Sequence, residues 1–180
     1  MPPPVRKLAL AIHLTSSGGW LGAVAAYLVL DLTVATSDHP PLVRGAWMAM
    51  GLVTASAIVP LAIASLLTGL VMSLGTKWGL FRHWWVLISL LLTILATLVL
   101  LSEASVVSQL AAIAADPATS DERLLSLPPT LLHSLGGLAV LLVIQGLNVL
   151  KPQGLTPYGW RKQQEERGEQ KPRTLRTEVS

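Results

Sequence analysis

Apolar residues run along this chain in four long blocks, at about residues 8–32, 46–74, 84–101 and 129–150. A helix needs roughly 20 such residues to cross the hydrocarbon core of a bilayer. The pattern therefore predicts an all-α chain whose residues 1–150 form a transmembrane four-helix bundle of up-down topology. Polar residues fill the connections. Residues 151–180 are polar and mixed in charge, and read as a mostly disordered tail beyond Trp160. The second block holds Pro60 near its middle, so a kink is expected there, with the Ser56 hydroxyl satisfying the freed backbone. From Ser102, "SEASVVSQLAAIAAD" has helical composition and extends the third helix or lies along the surface, until Asp116-Pro117 ends it. "SLPPT" then opens the fourth block, with Pro129 in its first turn. Ala23-Val24-Ala25 has the spacing of a signal-cleavage site. His13, Ser16 and Ser17 interrupt the apolar run before it, so the first block is read as retained.

Composition sharpens the picture. Charged residues make up 13 % and hydrophobic residues 52 %, at a mean hydropathy of +0.58. A soluble domain carries about 25 % charged residues. The absence of cysteine excludes disulfides, thiolate metal sites and thiol catalysis. Eleven of the thirteen Lys and Arg residues flank one set of block ends: Arg6, Lys7, Lys77, Arg82, Lys151 and the tail. The opposite ends hold Asp38, Glu103, Asp116, Asp121 and Glu122, with Arg44 and Arg123 as the cations. The positive-inside rule then makes both termini cytoplasmic, in a multi-pass protein of the bacterial cytoplasmic (inner) membrane. The same logic assigns the basic residues to topology, and no nucleic-acid partner is expected. Trp78, Trp84, Trp85, Tyr158 and Trp160 gather at the basic ends, where aromatic rings anchor in the headgroup region.

Candidate chemistry lies on helix faces. Positions seven apart nearly superimpose and positions eighteen apart coincide at about 100° per residue, so His13, Trp20, Tyr27 and Asp31 share one stripe, with Ser17 beside it. Gly18 and Gly22 lie on roughly the opposite face, spaced for close approach of another helix. Gly136 and Gly137 offer the same opportunity in the fourth block. An imidazole inside a span is a functional candidate by default, or a hydrogen-bond partner of a neighbouring helix. His13 and His83 fall at basic ends, on helices that would be diagonal in an up-down bundle. His133 falls at the opposite end, and His39 lies in a loop. Haem b held by His13 with His83 is one geometry this permits, and no particular metal is implied. Gln145 and Asn148 read as helix-joining amides. No Asp, Glu, Lys or Arg lies deep within a block, which argues against an ion-coupled carrier. No catalytic cluster is evident.

Two stretches carry a resemblance. "HLTSSGGWLG", with His13 seven before Trp20, is similar to the first helix of the copper-resistance D-type membrane proteins and of the haem-binding membrane protoporphyrinogen oxidases. "TKWGLFRHWWVLISLLLTILATLVLL" and "LHSLGGLAVLLVIQGLNVLKPQGLTPYG" resemble a family of actinobacterial four-helix integral membrane proteins, a domain of unknown function. That resemblance implies a fold and a location. The related groups lead one to expect a lysine a few residues into the third span, where this chain has Ser89. "AVAAYLVLDL" is a poor counterpart of the oxidase signature.

Three functions follow, in order of preference. The first is a non-catalytic scaffold, regulatory or accessory bundle in the lipid bilayer, with a second copy or another membrane protein as partner. The second is a haem- or metal-binding redox protein using His13, with His83 or His133 as second ligand and Trp20 at the pocket. The third is a transporter or channel subunit with the His13–Asp31 stripe along its path.

Overall fold

The computed structural model describes residues 2–75 and 79–177, with side chains described through residue 168. Lys77 and Trp78, counted above among the basic and anchoring residues, lie outside the described residues. The described chain is built of helices: α1 (Pro3–Thr36), α2 (Pro40–Val53), α3 (Val59–Gly75), α4 (Trp84–Ala115), α5 (Asp121–Leu125), α6 (Leu131–Leu150) and α7 (Pro157–Thr177). A five-residue π-helical turn, Thr54–Ile58, joins α2 to α3, so Pro40–Gly75 is one 36-residue span. Four helices are long and apolar enough to cross a membrane: Pro3–Thr36, Pro40–Gly75, Trp84–Ala115 and Leu131–Leu150. In their most apolar windows only 17–22 % of residues are buried inside the protein. The remaining apolar surface, including Leu8, Val29, Leu52, Leu91 and Leu142, requires lipid rather than water as solvent.

Each span packs on two neighbours. α1 contacts α2, α3 and α6, and α4 contacts α2, α3 and α6. The first and third spans therefore stand diagonally in a square. His13, early in α1, reaches Thr68, late in α3, while Asp31, late in α1, reaches Thr130 at the start of α6. Adjacent spans thus run antiparallel. One pole gathers Arg6, Lys7, Arg82 and Lys151 and is here the basic pole. The acidic pole holds Asp38, Asp116, Asp121 and Glu122.

Proline chemistry shapes several ends. Pro3 and the Pro40-Pro41 pair occupy first turns, where a missing N–H costs nothing. Pro60 acts differently from the expected kink relieved by Ser56. The backbone opens into the π turn one residue ahead of it, with the Val59 amide donating to the Thr54 carbonyl, and Ser56 is exposed. The wider turn moves the backbone away from the proline ring, so no side chain is needed. At the end of α6, Lys151 takes a left-handed conformation (φ 46°) and Pro152 follows, stopping the helix.

The halves of the bundle differ in packing. The hydrophobic cluster runs from Trp20, Val24 and Tyr27 through Trp47, Met50 and Ile58 to Val107, Leu124 and Leu141, toward the acidic pole. α4 continues without a break to Ala115, which resolves the Ser102 segment as an extension of the third helix. Arg44 closes its end by donating to the carbonyls of Ala114, Asp116 and Thr119. A cation there also complements the negative end of the helix dipole. Buried positions toward the basic pole are largely serines: Ser16, Ser65, Ser73 and Ser89, with Trp85 and Val86.

Two expectations change. Gly18, Gly22, Gly136 and Gly137 do not carry helix contacts within the chain, because a Cβ at any of them would meet nothing within 4 Å. Close approach falls at Gly51, whose Cβ would lie 2.6 Å from Ala111 Cβ, and at Gly19 and Gly69. The G-x-x-x-G spacing selects a face but not the neighbour that covers it. The tail beyond Trp160 continues as α7 to Thr177 rather than as coil. The Gly159 amide donates to Thr156 Oγ1, capping its start, and Arg82 pairs with Glu166 at 2.9 Å. Its Gln- and Glu-rich sequence favours helix, with Lys162 and Glu165 paired one turn apart.

Candidate functional site

The stripe on α1 is the place to begin. Trp20, Tyr27 and Asp31 are 4 %, 7 % and 0 % exposed, so this face points into the bundle as its spacing predicts. Asp31 is the most deeply buried ionisable group described in the spans. Its carboxyl accepts from the Thr130 amide (2.9 Å), the Thr130 hydroxyl (3.0 Å) and the Ser134 hydroxyl (2.7 Å). Thr130 is the residue before α6, so Asp31 caps that helix from another span, where its dipole favours an acceptor. Because the Thr130 hydroxyl donates to Asp31, it accepts from the Tyr27 hydroxyl at 2.8 Å. The chain Tyr27–Thr130–Asp31 ties α1 to the start of α6 and satisfies every group in it.

Beside this network is a cavity of about 250 Å³. Trp20, Tyr27, Thr54, Glu103, His133 and Gly137 are among its lining residues. His133 Nε2 lies 3.3 Å from Glu103 Oε1, an ion pair when the imidazole is protonated. Gly136 also lines it, so the two glycines of α6 leave room here instead of seating a helix. Thr54, in the π turn and 4 % exposed, has a buried hydroxyl with no hydrogen-bond partner.

A second cavity, of about 390 Å³, lies at the basic pole between all four spans. His13 lines it, and the Thr68 hydroxyl fixes the imidazole. That hydroxyl donates to the Ala64 carbonyl (2.6 Å), so it accepts from His13 Nδ1–H at 3.0 Å. The neutral ring then keeps Nε2 as its acceptor. Gly69 makes room for it, since a Cβ there would stand 3.2 Å from His13 Cε1. Arg6, Lys7, Ser89, Gln145, Asn148 and Lys151 line the same space. Asn148 donates to the Ile144 carbonyl of its own helix, not across helices as its residue type suggests.

The candidate histidines are thus separated. His13 lines the basic-pole cavity and His133 the acidic-pole cavity, the latter together with Trp20. His83 lines neither. It precedes α4, forms an isolated bridge with Leu155, and sets its ring 6.3 Å from that of Trp85. A haem held by two axial imidazoles needs both on one pocket, and each cavity offers one. These residues do not fit a haem held by two histidines. Among the described residues no three His, Asp or Glu side chains converge as a metal site.

Sequence reasoning missed Glu103, Thr130 and Ser134 as members of the site. A signal existed for Glu103. Ala96, Leu100, Glu103 and Val107 recur at helical spacing and all line the acidic-pole cavity, which becomes visible once α4 is continued past Leu101. No family model, curated protein or solved structure matches this chain.

Proposed function

We propose that this chain is a non-catalytic accessory bundle of the bacterial cytoplasmic membrane, with the basic pole and both termini inside the cell. The carrying observation is the use made of Asp31. A fully buried carboxyl that accepts three hydrogen bonds at a helix start is spent on joining two spans. The imidazoles of His13 and His133 stand in separate cavities, which disfavours a centre ligated by both. The skew of eleven in thirteen basic residues supports the orientation. We also propose that the chain belongs with the actinobacterial four-helix proteins it resembles, as a scaffold, a regulator or an accessory to a membrane partner.

The test is an absorption spectrum of the detergent-purified protein, with solute flux measured after reconstitution into liposomes. The expected result is no visible chromophore and no flux above empty liposomes. A Soret band that disappears in His13→Ala would replace this reading with a haem protein. Solute uptake lost in the same variant, with the fold retained, would replace it with a transporter subunit.

A further inference from the structure

We propose that the basic-pole cavity is a binding site for an anionic phospholipid, with the headgroup phosphate inside the bundle. Three cations line it: Arg6 and Lys7 at the start of α1, and Lys151 just past the end of α6. Among the described residues lining it there is no carboxyl group to oppose Arg6 and Lys7. Basic pockets between membrane helices on the cytoplasmic side are suited to anionic headgroups.

A second observation points to a ligand. Ser89 is 6 % exposed, lines the cavity, and has a hydroxyl without a hydrogen-bond partner. Other hydroxyls along the wall are committed to their own helices: Ser73 donates to Leu70, and Thr93 to the carbonyl of Ser89. A buried unsatisfied hydroxyl is destabilising, and the Ser89 oxygen, closed off in this structure, would gain a partner by rotating toward an acceptor that enters the cavity. Lone-pair oxygens on a charged group are what Arg6, Lys7 and a hydroxyl donor would recognise.

The walls choose lipid over a soluble anion. Leu10, Leu14 and Val149 line the cavity and are also 42 %, 56 % and 67 % exposed on the outer surface. The apolar wall therefore continues onto the lipid-facing side of α1 and α6. A molecule with its phosphate among Arg6, Lys7 and Ser89 can lead its acyl chains out along these residues. Free phosphate would leave that wall without a partner.

Native mass spectrometry of the purified protein tests this, titrating phosphatidylglycerol against phosphatidylcholine. The expected result is one phosphatidylglycerol retained at least tenfold more tightly than phosphatidylcholine. Arg6→Gln with Lys7→Gln should lower that affinity about tenfold. Ser89→Leu, which fills the cavity and keeps every charge, should lower it similarly, with helicity by circular dichroism unchanged in both. Millimolar inorganic phosphate should not displace the lipid. Equal retention of the two lipids would overturn the proposal. So would full affinity in Ser89→Leu, which would place the lipid on surface charge alone, or displacement by inorganic phosphate, which would make the ligand a soluble anion.

Discussion

Asp31 shows what one side chain decides in this bundle. Three donors converge on its carboxyl, from Thr130 just before another span and Ser134 in its first turn. Asp31→Ala would strand the Thr130 amide, at about 1–3 kcal/mol for a donor left unsatisfied, while the Ser134 hydroxyl keeps the Leu131 carbonyl and the Thr130 hydroxyl keeps Tyr27. The expected outcome is a lower thermal unfolding midpoint in detergent. Asp31→Asn should fall less, because it keeps an oxygen for the Thr130 amide. The i, i+7, i+11 spacing of Trp20, Tyr27 and Asp31 made this stripe legible from sequence. The partners were not, since Thr130 and Ser134 lie about a hundred residues away and nothing local marks them as acceptors' neighbours. His13 was legible as a candidate too, while its separation from His133 and His83 depends on where cavities open.

At the scale of elements, four spans could be read from hydropathy because lipid imposes length and apolarity directly. Their irregularities were less legible, although Asp116-Pro117 did mark where the third helix stops. The π turn before Pro60 replaces a simple kink, and the third helix runs from Trp84 to Ala115, ~48 Å at 1.5 Å per residue, well past a 30 Å core. Which glycines carry contacts was also hidden, because close approach depends on helix rotation. Gly51 against Ala111 is the tight point between α2 and α4. Gly51→Val should cost about 1–3 kcal/mol by overpacking, read as a lower unfolding midpoint. Gly22→Val, on an open face, should leave the midpoint nearly unchanged. The α7 helix makes a pH-dependent contact. The Arg82 guanidinium beside Glu166 holds its carboxyl below the ordinary value. A lowered carboxyl supports the contact fully above its ordinary range and loses it as the pH falls through the lowered value. Spin labels at Leu80→Cys and Gln163→Cys should therefore report a longer or broader distance in acid. Arg82→Gln should remove that change.

As a whole molecule the bundle is asymmetric along its axis. One half holds an apolar cluster, a capping network, the Arg44 clamp and the cavity beside Glu103 and His133, while the other surrounds a basic cavity with buried serines in its wall. Hydropathy averages along single helices hide this, because the difference arises from how four faces meet. The charge skew along the chain is the basis for the direction proposed for this axis relative to the cell. Every functional statement above depends on that placement. The chain has no cysteine, so single cysteines can report it without a background. The decisive measurement is labelling of intact cells with a membrane-impermeant maleimide, comparing Asp121→Cys on α5 with Gln163→Cys on α7. The account predicts that Asp121→Cys reacts from outside and Gln163→Cys reacts only after lysis. Labelling of Gln163→Cys in intact cells, with Asp121→Cys protected, would contradict it.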